Sequence, residues 1–352
     1  MFLARKTLGV SEFKQPLTLI LHALALIHGT FILTQISNAI DLVASDNLKG
    51  VEVMSIGTTH EGRQIKVVKM GLPKLDYAGN ERRKPAIFIE GGAHAREWLS
   101  PSTALYIMEQ LLRIQVINAE REMFLLEEID WYFLPVFNPD GYEYSHTHDR
   151  YWRKNRAPCE IDCPPAGHNC GVDLNRNFDA FWGESDSRDP CQESYGGPSA
   201  GSEPETTALQ DFIMQRKNDI KVYFTLHCYG EMFLLPYANN PTNKHPDYDD
   251  LEQVAQIAVT SMQLMNGNKY RIGTVPMLLN YTASGDSGGW VAKQAGIPWA
   301  FGLEISKHAV FQGGFELPTS EIVPVGDEVM AGVTAVAIEM LFRQQRKFLS
   351  LT

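Results

Sequence analysis

Three observations predict an α/β domain built on a mostly parallel sheet. Four short apolar runs, rich in β-branched and aromatic residues, alternate with helical patterns along the chain. Each run ends on polar residues of the metal-ligand or acid–base type. The 352 residues are 44% hydrophobic and show no repeat or low-complexity stretch, as in a globular protein whose length allows two domains or one large one.

The elements follow in order. Arg5, Lys6 and Lys14 precede Leu17–Leu33, an apolar stretch interrupted by His22, His28, Gly29 and Thr30. Residues 1–37 thus read as a signal peptide, an anchor or a wrongly assigned start. The stretch is short of the ~20 clean apolar residues of a membrane span. Ile87–Glu90 predicts the first strand and Ser100–Leu112, apolar at helical spacing, the helix after it. Ile129–Phe137 predicts the second strand. Ser202-Glu203-Pro204-Glu205 reads as a capping box with proline in the first turn, opening a helix to about Lys217. Ile220–His227 and Trp299–Ile305 complete the strands, while Leu251–Met265 and Gly326–Leu349 read as amphipathic helices. A domain over 38–345 is expected, with 346–352 as a tail.

Ligands bind such sheets beyond the carboxyl ends of the strands. Here the first strand runs into Gly91-Gly92-Ala93-His94-Ala95-Arg96-Glu97-Trp98, the second into Asn138-Pro139-Asp140-Gly141. The third ends on His227 and the fourth carries Glu304. His94 and Glu97 can reach one small cation from a single turn, and His227 supplies the third protein ligand that a catalytic zinc needs, leaving a position for water. A lone His-x-x-Glu is weak evidence, since a surface turn often carries it by chance. Three strand ends that agree are stronger.

These residues resemble the zinc metallocarboxypeptidases of the carboxypeptidase A/B type, from about Ile40 to Phe342. The landmarks are Glu61-Gly62-Arg63, Gly92 to Trp98, Asn138-Pro139-Asp140-Gly141-Tyr142 and Tyr151-Trp152-Arg153-Lys154. Gly171-Val172-Asp173-Leu174-Asn175-Arg176-Asn177-Phe178, Tyr195-Gly196-Gly197, Ser202 to Glu205, His227-Cys228-Tyr229 and Glu304 follow in order. The resemblance implies a single α/β domain with a mixed central sheet flanked by helices. It implies one zinc ion held by His94, Glu97 and His227. Glu304 would be the general base and Arg153 the electrophilic partner. Asn175, Arg176 and Tyr281 would grip the substrate's C-terminal carboxylate, and Arg96 and Tyr229 would also contact substrate.

The chemistry is coherent without the family. Peptide hydrolysis at neutral pH needs an activated water, which zinc provides by lowering its pKa to about 7. Glu304 can take the proton and pass it to the leaving amine. Arg153 offers a fixed cation to the oxyanion, and the planar guanidinium of Arg176 can bind a carboxylate through two parallel hydrogen bonds. The substrates expected are peptides or proteins with a free C-terminal carboxylate. A catalytically silent peptide-binding relative is the competing class, but it should have lost a ligand, the base or the arginine. A metallo-amidohydrolase of non-peptide amides is a third, opposed by the Asn175, Arg176 and Tyr281 set.

In the resembling enzymes the departing side chain enters a pocket based in the loop after the tyrosine, here Tyr281 to Trp290. Those preferring Lys or Arg place an acid where this chain has Gly288, and those preferring apolar residues an aliphatic. Glycine supplies neither. With Leu234, Ala238 and Gly302 as further lining positions, a preference for large apolar or aromatic C-terminal residues is expected. Asp286 is the nearest acid and is read as bonding its own turn. A Lys/Arg preference is the alternative. Ile305-Ser306-Lys307-His308 after Glu304 departs from the basic-then-acidic pair usual there, leaving support of the base open.

A net charge of −11 with scattered Lys and Arg argues against nucleic-acid binding. Cys159, Cys163, Cys170 and Cys191 cluster in a segment rich in Pro, Gly and Asp, which reads as two disulfides of a secreted protein rather than a zinc knuckle. Four cysteines allow three connectivities; the resemblance implies Cys170–Cys191, leaving Cys159–Cys163. Cys228 reads as a free buried thiol. Secreted members of this type usually carry a pro-domain, for which residues 1–37 leave no room, so a form lacking the pro-segment or a wrongly assigned start is expected. Membrane association through the N-terminal segment stays open.

Overall fold

The structure is a computed structural model that describes residues 32–45, 48–75, 78–159, 161, 163, 170–185, 187–307 and 314–349. Most of the expected N-terminal segment, the end of the expected tail and His308 lie outside these residues. Eight strands form one sheet: β1 (Val51–Thr58), β2 (Gln64–Met70), β3 (Ala86–Glu90), β4 (Asp130–Leu134), β5 (Ile220–Cys228), β6 (Met232–Leu234), β7 (Arg271–Gly273) and β8 (Trp299–Ile305). Their order is β1-β2-β4-β3-β5-β8-β6-β7. The central four, β4, β3, β5 and β8, pair in parallel. β1 and β2 add antiparallel strands at one side, and β6 pairs antiparallel with β8 at the other.

All five residues of β3 are buried, as a parallel strand covered on both faces requires. Strand alternation sends Ile87 and Ile89 to one face and Phe88 to the other. The first face packs against helices α1 (Leu33–Ser45), α2 (Leu99–Val116), α6 (Tyr248–Asn266) and α7 (Ile322–Leu349). Between α2 and α6 lie the helices α3 (Phe124–Glu127), α4 (Pro139–Thr147) and α5 (Pro204–Arg216). Phe88 and Tyr223 stack at 5.5 Å on the opposite face, which is closed by α5 and the segment around Trp290. Truncating Phe88 to alanine would cost ~3–5 kcal/mol, the usual loss for a buried aromatic.

The four expected strands and four expected helices are present, with informative differences. β4 stops at Leu134 because Pro135, lacking an N–H, cannot extend the ladder toward Phe137. The capping box at Ser202 does not form. Glu203 is the residue before α5, and Ser202 Oγ donates to Glu203 Oε1 (2.7 Å) while accepting from Asn177 Nδ2 (2.9 Å). Pro204 does occupy the first turn. α1 crosses the 37/38 position, burying Ile36, Ala39, Ile40 and Val43.

The cysteine pairing differs from the one the resemblance implied. The bridges are Cys159–Cys170 and Cys163–Cys191, not Cys170–Cys191 and Cys159–Cys163. Their Cα atoms are 5.8 Å and 5.3 Å apart, the span of a disulfide. All four sulfurs crowd together, with Cys163 Sγ only 3.6 Å from Cys170 Sγ, so local proximity rather than spacing decides. Cys228 is free and buried, as expected. Among the described residues, no helix is long and apolar enough to cross a membrane.

Candidate active site

The loop leaving β3 turns sharply at Gly92, whose φ of +69° suits glycine and where a Cβ would press on Pro101 Cγ at 3.1 Å. Asn138 locks that loop. Its Nδ2 donates to Ala93 O (3.2 Å) and Lys154 O (3.0 Å), and its Oδ1 accepts from Gly141 N (2.9 Å) to cap α4. The Ala95 amide donates to Arg153 O (2.9 Å). The second motif therefore holds the first and the Arg153 segment in place.

His94, Glu97 and His227 converge from the β3 loop and the end of β5. His94 Nδ1 is 2.7 Å from Glu97 Oε1, and His227 Nδ1 is 3.1 Å from both Glu97 Oε2 and His94 Nδ1. All three are buried, and their donor atoms lie within 4.8 Å of one another. Two imidazole nitrogens and a carboxylate aimed at one point form the donor set of a catalytic zinc. The residues fit that ion. Burial pushes the Glu97 carboxyl up, but His94 and His227 hold it below the usual range. Burial lowers the His227 imidazole, and Glu97 more than offsets this, raising it to about 9.

Asp173 was not singled out from the sequence, yet it braces two of these residues. Its Oδ1 is 3.2 Å from His94 Nε2, and its Oδ2 accepts from Arg153 Nε (2.9 Å) and Nη2 (2.8 Å). Burial pushes the Asp173 carboxyl up, but Arg153, His94 and Arg176 hold it well below its usual value. It also accepts from Asn175 N (3.0 Å), starting the 3₁₀ turn Leu174–Arg176 that presents the next two residues. Its sequence signal was an acid immediately before Leu-Asn-Arg.

Arg176 Nη2 donates to the Tyr281 hydroxyl at 2.6 Å, with Tyr281 itself exposed. Asn175 Oδ1 accepts from Ser287 N (2.9 Å), which turns its Nδ2 toward His227 Nε2, 3.2 Å away. Glu304 on β8 pairs in register with His227 on β5. Burial and then the nearby Glu97 push its carboxyl up to about 7.

One cavity of about 330 Å³ is lined by His94, Glu97, Arg153, Asn175, Arg176, His227, Tyr229, Tyr281, Gly288 and Glu304, among others. Arg96 is the expected site residue that does not line it. Its Nη1 and Nη2 donate to Glu193 (2.8 and 3.0 Å), with its guanidinium 4.7 Å from the ring centroid of Phe315, which does line the cavity. Away from the ligand residues the walls are Leu234, Ala238, Val275, Ala283, Ala300 and Gly302. Asp286 is also in the wall, and its Oδ1 accepts from Gly289 N (2.6 Å), capping the turn Ser287–Trp290. A second His/Glu group, His60, Glu203 and Glu205, lies outside this cavity, with Asn155 bonding both carboxylates (2.7 and 3.3 Å).

The chain is similar to known zinc carboxypeptidases. The family model described as zinc carboxypeptidase matches residues 36–332. Carboxypeptidase B of Rattus norvegicus is 41% identical over 302 residues, covering 85% of this chain and 68% of that protein. Carboxypeptidase B of Astacus astacus is 34% identical over 306 residues, covering 86% of this chain and 94% of that one. Bovine thrombin-activatable fibrinolysis inhibitor, solved with tick carboxypeptidase inhibitor, superposes with a TM-score of 0.78 at 31% identity, covering 90% of this chain and 99% of that one. The chain belongs to the zinc carboxypeptidase family and is a metallocarboxypeptidase, a peptidase whose family implies zinc.

Proposed function

We propose that this cavity is the active site and that the enzyme removes single residues from the C-terminus of peptides and proteins. His94, Glu97 and His227 would hold one zinc ion. When bound, the ion supplies Lewis acidity and an acidified water at neutral pH. Glu304 would accept a proton from the attacking water at a carboxylate oxygen and return it to the amine that leaves. Arg153, its guanidinium fixed by Asp173, stabilises the negative charge that develops on the scissile carbonyl oxygen. Arg176 and the Tyr281 hydroxyl hold the terminal carboxylate, and Asn175 contributes from the same 3₁₀ turn. Tyr229, and Arg96 beyond the cavity wall, contact the peptide further along.

The observation that carries the reading is the shared cavity. It joins a His–Glu–His donor set, a raised carboxyl and a guanidinium–hydroxyl pair suited to a free carboxylate. The test is one peptide with a free and with an amidated C-terminus, each with and without a chelator. Hydrolysis of the free form alone, lost on chelation, supports the reading; equal cleavage of both forms sinks it.

The apolar wall favours large apolar or aromatic departing residues. A second reading, preference for Lys or Arg, draws on Asp286 in the same wall. A Cβ on Gly288 would sit 3.5 Å from Asp286 Oδ1, so the glycine and that carboxylate are neighbours in the wall. Two disulfides support a secreted, extracellular enzyme. The catalytic domain assigned to 38–345 would then include α1 back to Leu33.

A further inference from the structure

We propose that Thr225 and Glu90 are positioning residues for His227, a hydroxyl-to-carboxylate chain that fixes its ring and sets how tightly it holds the metal. The inference rests on the reading of His227 as a ligand. Strand alternation places Tyr223, Thr225 and His227 on one face of β5. β3 runs parallel beside it with Glu90 in register with Thr225. Glu90 is fully buried at the end of that strand. The Tyr223 hydroxyl donates to Glu90 Oε2, and Thr225 Oγ1 donates to Glu90 Oε1 at 3.3 Å. Thr225 Oγ1 is also 3.0 Å from His227 Nε2.

The direction of the chain follows from the ligand geometry. His227 turns Nδ1 toward His94 and Glu97, so a neutral ring that offers its Nδ1 lone pair carries its hydrogen on Nε2. That N–H needs an acceptor. Asn175 Nδ2 is 3.2 Å from it but is a donor, and its Oδ1 is engaged by Ser287 N, which pins the amide that way round. Thr225 Oγ1, its own hydrogen given to Glu90, is the acceptor. The opposite arm is simpler: His94 Nε2 meets the Asp173 carboxylate directly. Both histidines are thus backed by a buried acid, one at first contact and one through a hydroxyl.

Removing a partner of this kind typically weakens metal affinity by ~10–100-fold. Because Thr225 also lines the cavity, activity alone would not separate this role from a substrate contact. The experiment is zinc affinity of the holoenzyme by competition with a chromophoric chelator, in Thr225→Val, Thr225→Ser, Glu90→Gln and His227→Ala. The proposal expects roughly 10- to 100-fold weaker zinc retention in Thr225→Val, recovery in Thr225→Ser, and a smaller loss in Glu90→Gln, which keeps one acceptor oxygen. Zinc affinity in Thr225→Val equal to that of the unsubstituted enzyme overturns it. Should Thr225→Val not fold, Thr225→Ala takes its place with the same two outcomes. His227→Ala that keeps its zinc would overturn the ligand reading instead, so the two failures are distinguishable.

Discussion

The two ends of the cavity are held by different physics. At the ligand end, His94, Glu97, His227 and Arg153 are buried or nearly so and tied by directional bonds to Asp173, Thr225 and one another. At the pocket end, Leu234, Ala238, Val275, Ala300, Gly288 and Gly302 supply shape alone, and among the described residues Asp286 is the single acid in that wall. A buried polar group must be satisfied atom by atom. An apolar wall needs only the right volume. The first end should therefore fail steeply on substitution and the second by degrees.

The largest effect is expected at the ligands. His94→Ala or His227→Ala should remove zinc and almost all hydrolysis, read as metal content by atomic emission beside the rate. Glu304→Gln comes next, with turnover falling by ~10²–10⁴ while zinc content and melting temperature stay near those of the unsubstituted enzyme. A fully active Glu304→Gln enzyme would remove the base from the ligand end. Arg176→Ala should lower kcat/KM by roughly 10–100-fold on a free-carboxylate peptide. It should barely change the already poor amidated one; equal losses on both would mean that Arg176 does not read the carboxylate.

The smallest effects belong to the pocket. Across peptides ending in Phe, Leu, Lys, Arg or Glu, release of Phe and Leu should lead. Margins should reflect ~1–3 kcal/mol per methylene-sized difference, as an uncharged pocket allows. Asp286→Asn, which keeps the oxygen that caps its turn, should leave that order unchanged. If Lys or Arg leads, and Asp286→Asn removes the lead, the pocket end is electrostatic after all and the contrast between the two ends collapses.

The same contrast explains which residues declare their roles in the sequence. Polar residues at strand ends stand out in the chain because few other roles suit His94, Glu97, His227 or Glu304 there. Thr225 and Glu90 did not stand out, since each looks like an ordinary residue of a buried strand until register sets them side by side. Asp173 was visible only inside a longer motif. The bidentate partner of Arg96, Glu193, lies almost a hundred residues on and could not be read from the sequence. The β1–β2 hairpin went unread because the mixed exposure of β1 obscures strand alternation. β6 and β7, at three residues each, are too short to show a period. The disulfide connectivity depended on how one irregular segment folds back on itself, which cysteine spacing does not encode.

The most direct test is the product pattern. A peptide of about ten residues with a free C-terminus, chosen to end in several apolar residues, would be followed by mass spectrometry over time. The expected result is a ladder that loses one residue at a time from the C-terminal end and stops when a chelator is added. Internal fragments, or a ladder from the amino end, would contradict it.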